Sequence, residues 1–331
     1  MQGSGPCDSS SNLLRATTFI PKKESRLVSA YSCARRPRAP VGTLMVSGNL
    51  PSPGDRQLAD YNLGCTLRPG DAATLALLED LYEERAIDHL QFQVIPGESF
   101  QRDLATVADT GIPAVIHAPY HSHGVNPCAP AAYDDRALPD IEAHTEEAMA
   151  LTFEAADTLG AGVIVLHAGR YLPGGHAAAM EEFPRFLDRY FDPRLTLENL
   201  PAVYAGYPLL GNDARELEIL AGGRITQFCL DFPHLSCTTN YRGQVFAEEL
   251  GRFESLNVTL HHLSNIRRGS ITDEHLELDH PDGGLDFAAV FGRLRRHRSI
   301  PTTLEYKENA REVYARQVRV FARLWEEYGG E

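Results

Sequence analysis

CLDFPH, residues 229 to 234, closes the apolar run ITQF on two groups that a buried strand should avoid, the carboxylate of Asp231 and the imidazole of His234. Working outward in both directions, the same kind of ending recurs. Short apolar runs stop near Thr66 (YNLGCT), Val94 (HLQFQV), His117 (PAVIH), His167 (GVIVLH), Glu198 (RLTLE), Asp231 (TQFCLD), His262 (NVTLHH) and Glu305 (PTTLE), which makes eight. Between them lie stretches such as DAATLALLEDLYEER, DIEAHTEEAMALTFEAADTLG, EEFPRFLDRY, NDARELEILAGG, QVFAEELGRF and LDFAAVFGRLRRH, whose apolar residues recur at three- and four-residue spacing with polar faces opposite. Strand, loop and helix repeated over roughly 250 residues, with the strands apolar on both faces, predict an α/β fold, a parallel (β/α)8 TIM barrel. The competing doubly wound open sheet would carry G-x-G-x-x-G after its first strand, and none follows YNLGCT.

The 331 residues are 43% apolar, enough for one large domain or two ordinary ones whose core needs no staples. Six cysteines, at 7, 33, 65, 128, 229 and 237, show no C-x-x-C and no framework spacing. That argues against disulfides and a cysteine-ligated zinc, and for a reducing cytoplasm. No run of 18 apolar residues exists and the N-terminal segment lacks a continuous apolar stretch, so neither a membrane partner nor a secretory signal is expected. Residues 1 to 57, rich in Ser, Gly, Pro and Arg, hold eight Lys or Arg against Asp8, Glu24 and Asp55. They are expected to form a flexible basic extension, with VGTLMV (41 to 46) as an isolated strand, and residues 58 to 331 to form the metal-dependent barrel. A targeting arm and a start at Met45 both fit. The extension carries +5 of a total of −14, which leaves −19 on the barrel, a balance that repels polyanions at long range.

The last polar residues of the six later runs are His117, His167, Glu198, Asp231, His262 and Glu305, and every one can bind a metal. In a closed barrel the carboxyl ends of the strands ring one mouth, so groups far apart in sequence converge there. Imidazole and carboxylate without thiolate suit a divalent ion, Zn2+ or Mn2+. His234 is placed on the turn above Asp231. ITDEH sets Asp273 and His275 two apart, so that in an extended segment both side chains leave the same face. Each residue also has a plainer reading: a strand-end histidine can be a hydrogen-bonded structural group, and Glu198 before Asn199 can begin a helix. Recurrence on six consecutive strands favours ligation, because unpaired charges at buried strand ends are costly. Alternation lets one of His261 and His262 face the mouth, and HHLSN is matched with His262 inward. Tyr120, His121 and His123 follow the third run, and Arg267 and Arg268 follow the seventh. The histidines are candidates to meet substrate phosphate or hydroxyls and the arginines a candidate phosphate-binding pair, with exposure as the competing reading. Lys307, two residues past Glu305, is a candidate acid–base group with a surface role as its alternative.

IHAPY, VLHAG, LTLENLP, CLDFPH, HHLSN, DEH and TLE, in this order, resemble the metal-ligand motifs of the xylose-isomerase-like TIM barrel superfamily, which includes endonuclease IV, the second family of AP endonucleases. The similarity covers about residues 60 to 310. The resemblance implies one to three ions: His117, His167 and Glu198 on a first zinc, Glu198, Asp231, His262 and Glu305 on a second, and His234, Asp273 and His275 on a third. The superfamily's sugar isomerases and epimerases hold one divalent ion with a Glu, Asp, His, Glu quartet at strands five to eight, which Glu198, Asp231, His262 and Glu305 also satisfy.

The first expectation is an isomerase or epimerase of a small sugar or sugar phosphate, with a small carbohydrate as partner. Glu198 and Glu305 shuttle a proton beside metal-polarised carbonyl and hydroxyl groups, and His234 binds a substrate hydroxyl. The second is an endonuclease IV-like trinuclear zinc phosphodiesterase cleaving DNA at abasic sites, the one reading in which DNA is a partner. Tyr120 matches the tyrosine that this nuclease presents to DNA. The chain departs from the nuclease in three places: LGCTLRPG lacks its strand-one histidine motif, IPGESFQRD its arginine-bearing DNA loop, and HSHGVNP its apolar wedge. HLELDHPDGGLDF, 275 to 287, resembles the loop and helix start of sugar isomerase-like members, where D-x-H is also found, so the third trio by itself does not decide between the two. A third expectation is a barrel that holds metal without turnover.

Overall fold

The structure, a computed structural model, describes residues 61–130, 140–306 and 310–328. The expected basic extension, VGTLMV within it, and Lys307 lie outside the described residues.

Each of the eight apolar runs becomes a strand. In chain order these are β1 (Leu63–Leu67), β2 (His89–Gln93), β3 (Ala114–His117), β4 (Ile164–Leu166) and β5 (Leu195–Glu198). A short antiparallel hairpin, β6 (Val203–Tyr204) and β7 (Tyr207–Pro208), follows, and then β8 (Gln227–Asp231), β9 (Val258–Leu263) and β10 (Thr302–Leu304). The barrel strands are all parallel in the order β1-β10-β9-β8-β5-β4-β3-β2, and β1 pairs with both β10 and β2, which closes the ring.

Helices α1 (Ala72–Glu83), α2 (Phe100–Ala108), α3 (Ile141–Leu159), α4 (His176–Tyr190), α5 (Ala214–Ala221), α6 (Phe232–Arg242), α7 (Phe246–Arg252), α8 (Phe287–Arg296) and α9 (Ala310–Glu327) lie between and after the strands. Five of them begin on an aspartate whose carboxylate accepts a backbone N–H one turn in: Asp71, Asp140, Asp213, Asp231 and Asp286. Such caps satisfy amides that the first turn leaves without partners. The segment IPGESFQRD, expected as a loop, turns helical at Phe100.

Strand alternation divides the side chains cleanly. Outward residues such as Leu63, Phe92, Ile116, Leu166, Leu197 and Leu230 join the helices in the main core. Inward, Val115, Val165, Cys229 and Leu260 form a separate buried layer inside the barrel. Two positions on from these four stand His117, His167, Asp231 and His262. An apolar floor thus lies under a ring of donors. Lower in the barrel, the His89 ring lies against Gly64, where a Cβ would overlap it. His89 Nδ1 is 2.9 Å from Asn62 Oδ1 and Nε2 is 2.9 Å from Thr303 Oγ1. The amide oxygen can only accept, so Nδ1 carries the proton and Nε2 accepts from the hydroxyl.

Among the described residues no helix is long and apolar enough to cross a membrane.

Candidate metal centre

Glu198, at the end of β5 and wholly buried, is the hub of the donor ring. Its Oε2 lies 2.7 Å from His167 Nε2 and 3.6 Å from His117 Nε2. Its Oε1 lies 3.0 Å from His262 Nδ1 and 3.4 Å from His234 Nδ1. His262 Nδ1 is in turn 3.5 Å from Glu305 Oε1 and 4.0 Å from Asp231 Oδ2. The web continues through His234 Nε2, 3.6 Å from Asp273 Oδ2, to His275 Nε2, 2.5 Å from the same oxygen. All nine residues singled out in the sequence therefore meet at one mouth. Among the described residues, four trios have donor atoms within 4.8 Å of one another, three of them sharing Glu198.

Two local expectations are corrected. His234 stands in the first turn of α6 rather than on an open turn, because Pro233 opens that helix and Asp231 caps it. Asp273 and His275 do not leave one face of an extended segment: His275 has φ +51°, a left-handed backbone that swings its ring back onto Asp273. His261 turns away from the mouth, its ring 5.3 Å from that of Phe232.

The donor set fits divalent ions on two counts. Two ligands on one tetrahedral zinc stand about 3.3 Å apart, from metal–ligand bonds of about 2.0–2.1 Å, and His117 Nε2 to Glu198 Oε2, His262 Nδ1 to Glu198 Oε1 and His262 Nδ1 to Glu305 Oε1, at 3.6, 3.0 and 3.5 Å, bracket that value. The imidazoles are also preset. His117 Nδ1 donates to the carbonyl of Ala118 at 2.8 Å, His234 Nδ1 to that of Asn199 at 2.9 Å, and His275 Nδ1 to that of Glu305 at 3.1 Å. Carbonyls only accept, so each Nδ1 carries a proton, and in the neutral ring that binds a metal the lone pair of Nε2 faces carboxylates. Lone pairs facing carboxylates repel unless a cation lies between them, and metal-binding histidines are oriented in this way by their far nitrogen.

Electrostatics agree. Burial works against ionisation of Glu198, but His262 and His167 outweigh it and hold the carboxyl well below its ordinary range. Burial pushes Asp231 up to about 7 despite the opposing pull of His234. Cys229 Sγ also approaches Glu198 and His262, but burial pushes its thiol up to about 12 and keeps it protonated.

Tyr120 lines the cavity, its ring 5.0 Å from that of His167, and His121 lines it too. His123 packs on the far side of Tyr120, rings 4.5 Å apart, and its carbonyl accepts from His144. Neither arginine expected to bind phosphate is among the described cavity-lining residues. Arg267 is taken up by Glu274 and, at 2.6 Å, by Asp282, and the Arg268 backbone packs against Gly284. The cation on the wall is instead Arg68, just past β1, whose side chain has no hydrogen bond or ion pair among the described residues. Gln91 and Thr66 contact Glu305 from below. A polar residue in the middle of HLQFQV was the available signal for Gln91. Leu200, Pro201, Tyr204 and Leu209, in and around the β6–β7 hairpin, form the apolar side of the cavity.

A family model described as xylose isomerase-like TIM barrel matches residues 91–324. The chain belongs to that family. This xylose isomerase-like barrel shares its fold with endonuclease IV from Thermus thermophilus, at 22% identity and a TM-score of 0.56 over 80% of this chain and 99% of that one. It is also similar to the TTHB071 protein of the same organism, soaked with ZnCl2, at 18% identity and a TM-score of 0.51 over 82% of this chain and 99% of the other. A xylose isomerase domain containing protein from Salmonella typhimurium gives 13% identity and a TM-score of 0.52, over 82% and 98%. Identities this low speak for the fold alone. No curated protein matches the chain.

Proposed function

We propose that this barrel is a divalent-metal-dependent hydrolase of phosphoesters whose substrate is a phosphorylated carbohydrate, an abasic nucleotide in DNA being one case. One observation carries the reading. His117, His167, His234, Asp273 and His275 join the quartet of Glu198, Asp231, His262 and Glu305 in a single cavity, whereas an isomerase needs the quartet alone. His117, His167 and Glu198 would hold one ion, Glu198, Asp231, His262 and Glu305 a second, and His234, Asp273 and His275 a third. When bound, divalent ions supply Lewis acidity to a phosphoryl oxygen and acidify water.

The remaining tasks fall to the chain. Glu198 offers one oxygen to each side of the centre and so fixes their spacing. Arg68 presents a planar, permanently charged fork to a phosphate, the pairing for which guanidinium is suited. Leu200, Pro201 and Tyr204 cover the apolar face of a sugar ring and exclude water.

The isomerase reading keeps one supporting observation, that the quartet is complete and Glu198 and Glu305 both lie against His262. The deciding experiment combines elemental analysis of the purified protein with cleavage of an abasic duplex and of bis(p-nitrophenyl) phosphate. Near three ions per chain with phosphoester cleavage supports the hydrolase. About one ion, no cleavage and aldose–ketose interconversion overturns it.

A further inference from the structure

Gln91 is fully buried in the barrel interior on β2, yet its side chain meets residues from three other strand ends. Its Nε2 donates to Glu305 Oε1 at 2.6 Å and to Thr66 Oγ1 at 3.2 Å, and its Oε1 is 2.8 Å from His262 Nε2. The direction of each bond can be deduced. A carboxylate only accepts, so the amide nitrogen must face Glu305. The carbonyl end then faces His262, and the imidazole must donate from Nε2. In the neutral ring that binds a metal, His262 then has the lone pair of Nδ1 aimed at Glu198, Glu305 and Asp231, at 3.0, 3.5 and 4.0 Å.

We propose that Gln91 is a positioning residue that fixes the tautomer of His262 and the orientation of Glu305, so that both present to one divalent ion. His117, His234 and His275 get the same service from backbone carbonyls. His262 gets it from a side chain, which a point substitution can remove. Among the described residues, Gln91 and Thr66 supply the side-chain hydrogen bonds of Glu305. The inference rests on the cluster holding divalent ions and does not depend on which reaction follows. A merely structural role for Gln91 would move stability alone.

The test uses full-length wild type and Gln91→Met, which keeps length and removes all three side-chain hydrogen bonds. Zinc affinity is measured by chelator competition, metal-free thermal stability by calorimetry, and histidine tautomers by long-range proton–nitrogen correlation in the zinc-loaded protein. The expected result is a metal affinity about 10–100-fold weaker in Gln91→Met, as for loss of other partners behind a metal ligand, with wild-type His262 protonated at Nε2 and bound through Nδ1. Equal affinities in the two proteins overturn the proposal. So does wild-type His262 bound through Nε2, which can be read even if the variant does not fold. A wild type that binds no divalent ion overturns the metal reading itself, and the role of Gln91 with it.

Discussion

Asp231 and His234 are joined twice: Asp231 Oδ1 accepts the backbone N–H of His234 at 2.5 Å and lies 3.6 Å from its Nδ1. The carboxylate that ends β8 therefore also starts α6, while its other oxygen faces His262. The two duties separate by substitution. Asparagine caps a helix about as well as aspartate, so Asp231→Asn should keep metal-free stability within about 1 kcal/mol of wild type while weakening metal binding. Asp231→Ala should lose both, with about 1 kcal/mol of added destabilisation from the missing cap. Urea titrations beside chelator competition measure the split.

Glu198 is shared by three of the four donor trios. Glu198→Gln keeps its shape and removes the charge that both sides of the centre use. The variant should lose at least one bound ion by elemental analysis, and phosphoester cleavage should fall by at least about 10^2-fold, the scale on which one buried electrostatic contact acts.

Arg68 should act on binding. With no partner among the described residues to release, Arg68→Ala is expected to raise KM by about ten-fold, equivalent to about 1.4 kcal/mol, with a much smaller change in kcat. Arg267→Ala, whose side chain is already committed to Glu274 and Asp282, should leave KM near wild type. Steady-state kinetics on one phosphoester substrate compare the two.

Gly64 touches the His89 ring so closely that a methyl group there has no room. The ring is anchored at both nitrogens by Asn62 and Thr303 and cannot step aside cheaply. Gly64→Ala should cost about 1–3 kcal/mol, the usual scale of overpacking, seen as a lower denaturation midpoint with an unchanged slope.

His89 also sets a pH dependence. Burial first, and then the neighbouring His262, lower its pKa from 6.5 to about 3. The unfolded chain therefore binds a proton that the folded chain refuses between these two values. Its contribution to stability is fully present above pH 6.5 and is lost as pH falls toward 3, at about 1.4 kcal/mol per pH unit. Stability measured against pH should be flatter by one proton in His89→Asn than in wild type over that window. Parallel slopes would refute the assignment.

The barrel was legible because each run combines apolar alternation with a polar last residue, and the parity that puts Val115, Val165, Cys229 and Leu260 inside also puts His117, His167, Asp231 and His262 at the rim. What stayed hidden depended on tertiary packing. The segment FPHLSCTTNYR is rich in weak helix formers, and it is helical because the Asp231 cap and burial of Phe232 and Leu235 outweigh propensity. The β6–β7 hairpin turns at Ala205 and Gly206, both at positive φ, where sequence patterns favour asparagine before glycine. Gln91 escaped notice because it precedes the last polar residue of its run, and Arg68 because it follows one.

Thr66, Gln91, His262 and Glu305 come from, or just past, β1, β2, β9 and β10, the four staves on either side of the seam where the first and last strands of the ring pair. Circular permutation would feel this unevenly. New ends between β1 and β2 or between β9 and β10 would loosen a stave that carries the internal tie orienting two ion-facing side chains, whereas new ends between α4 and β5 would leave the tie whole.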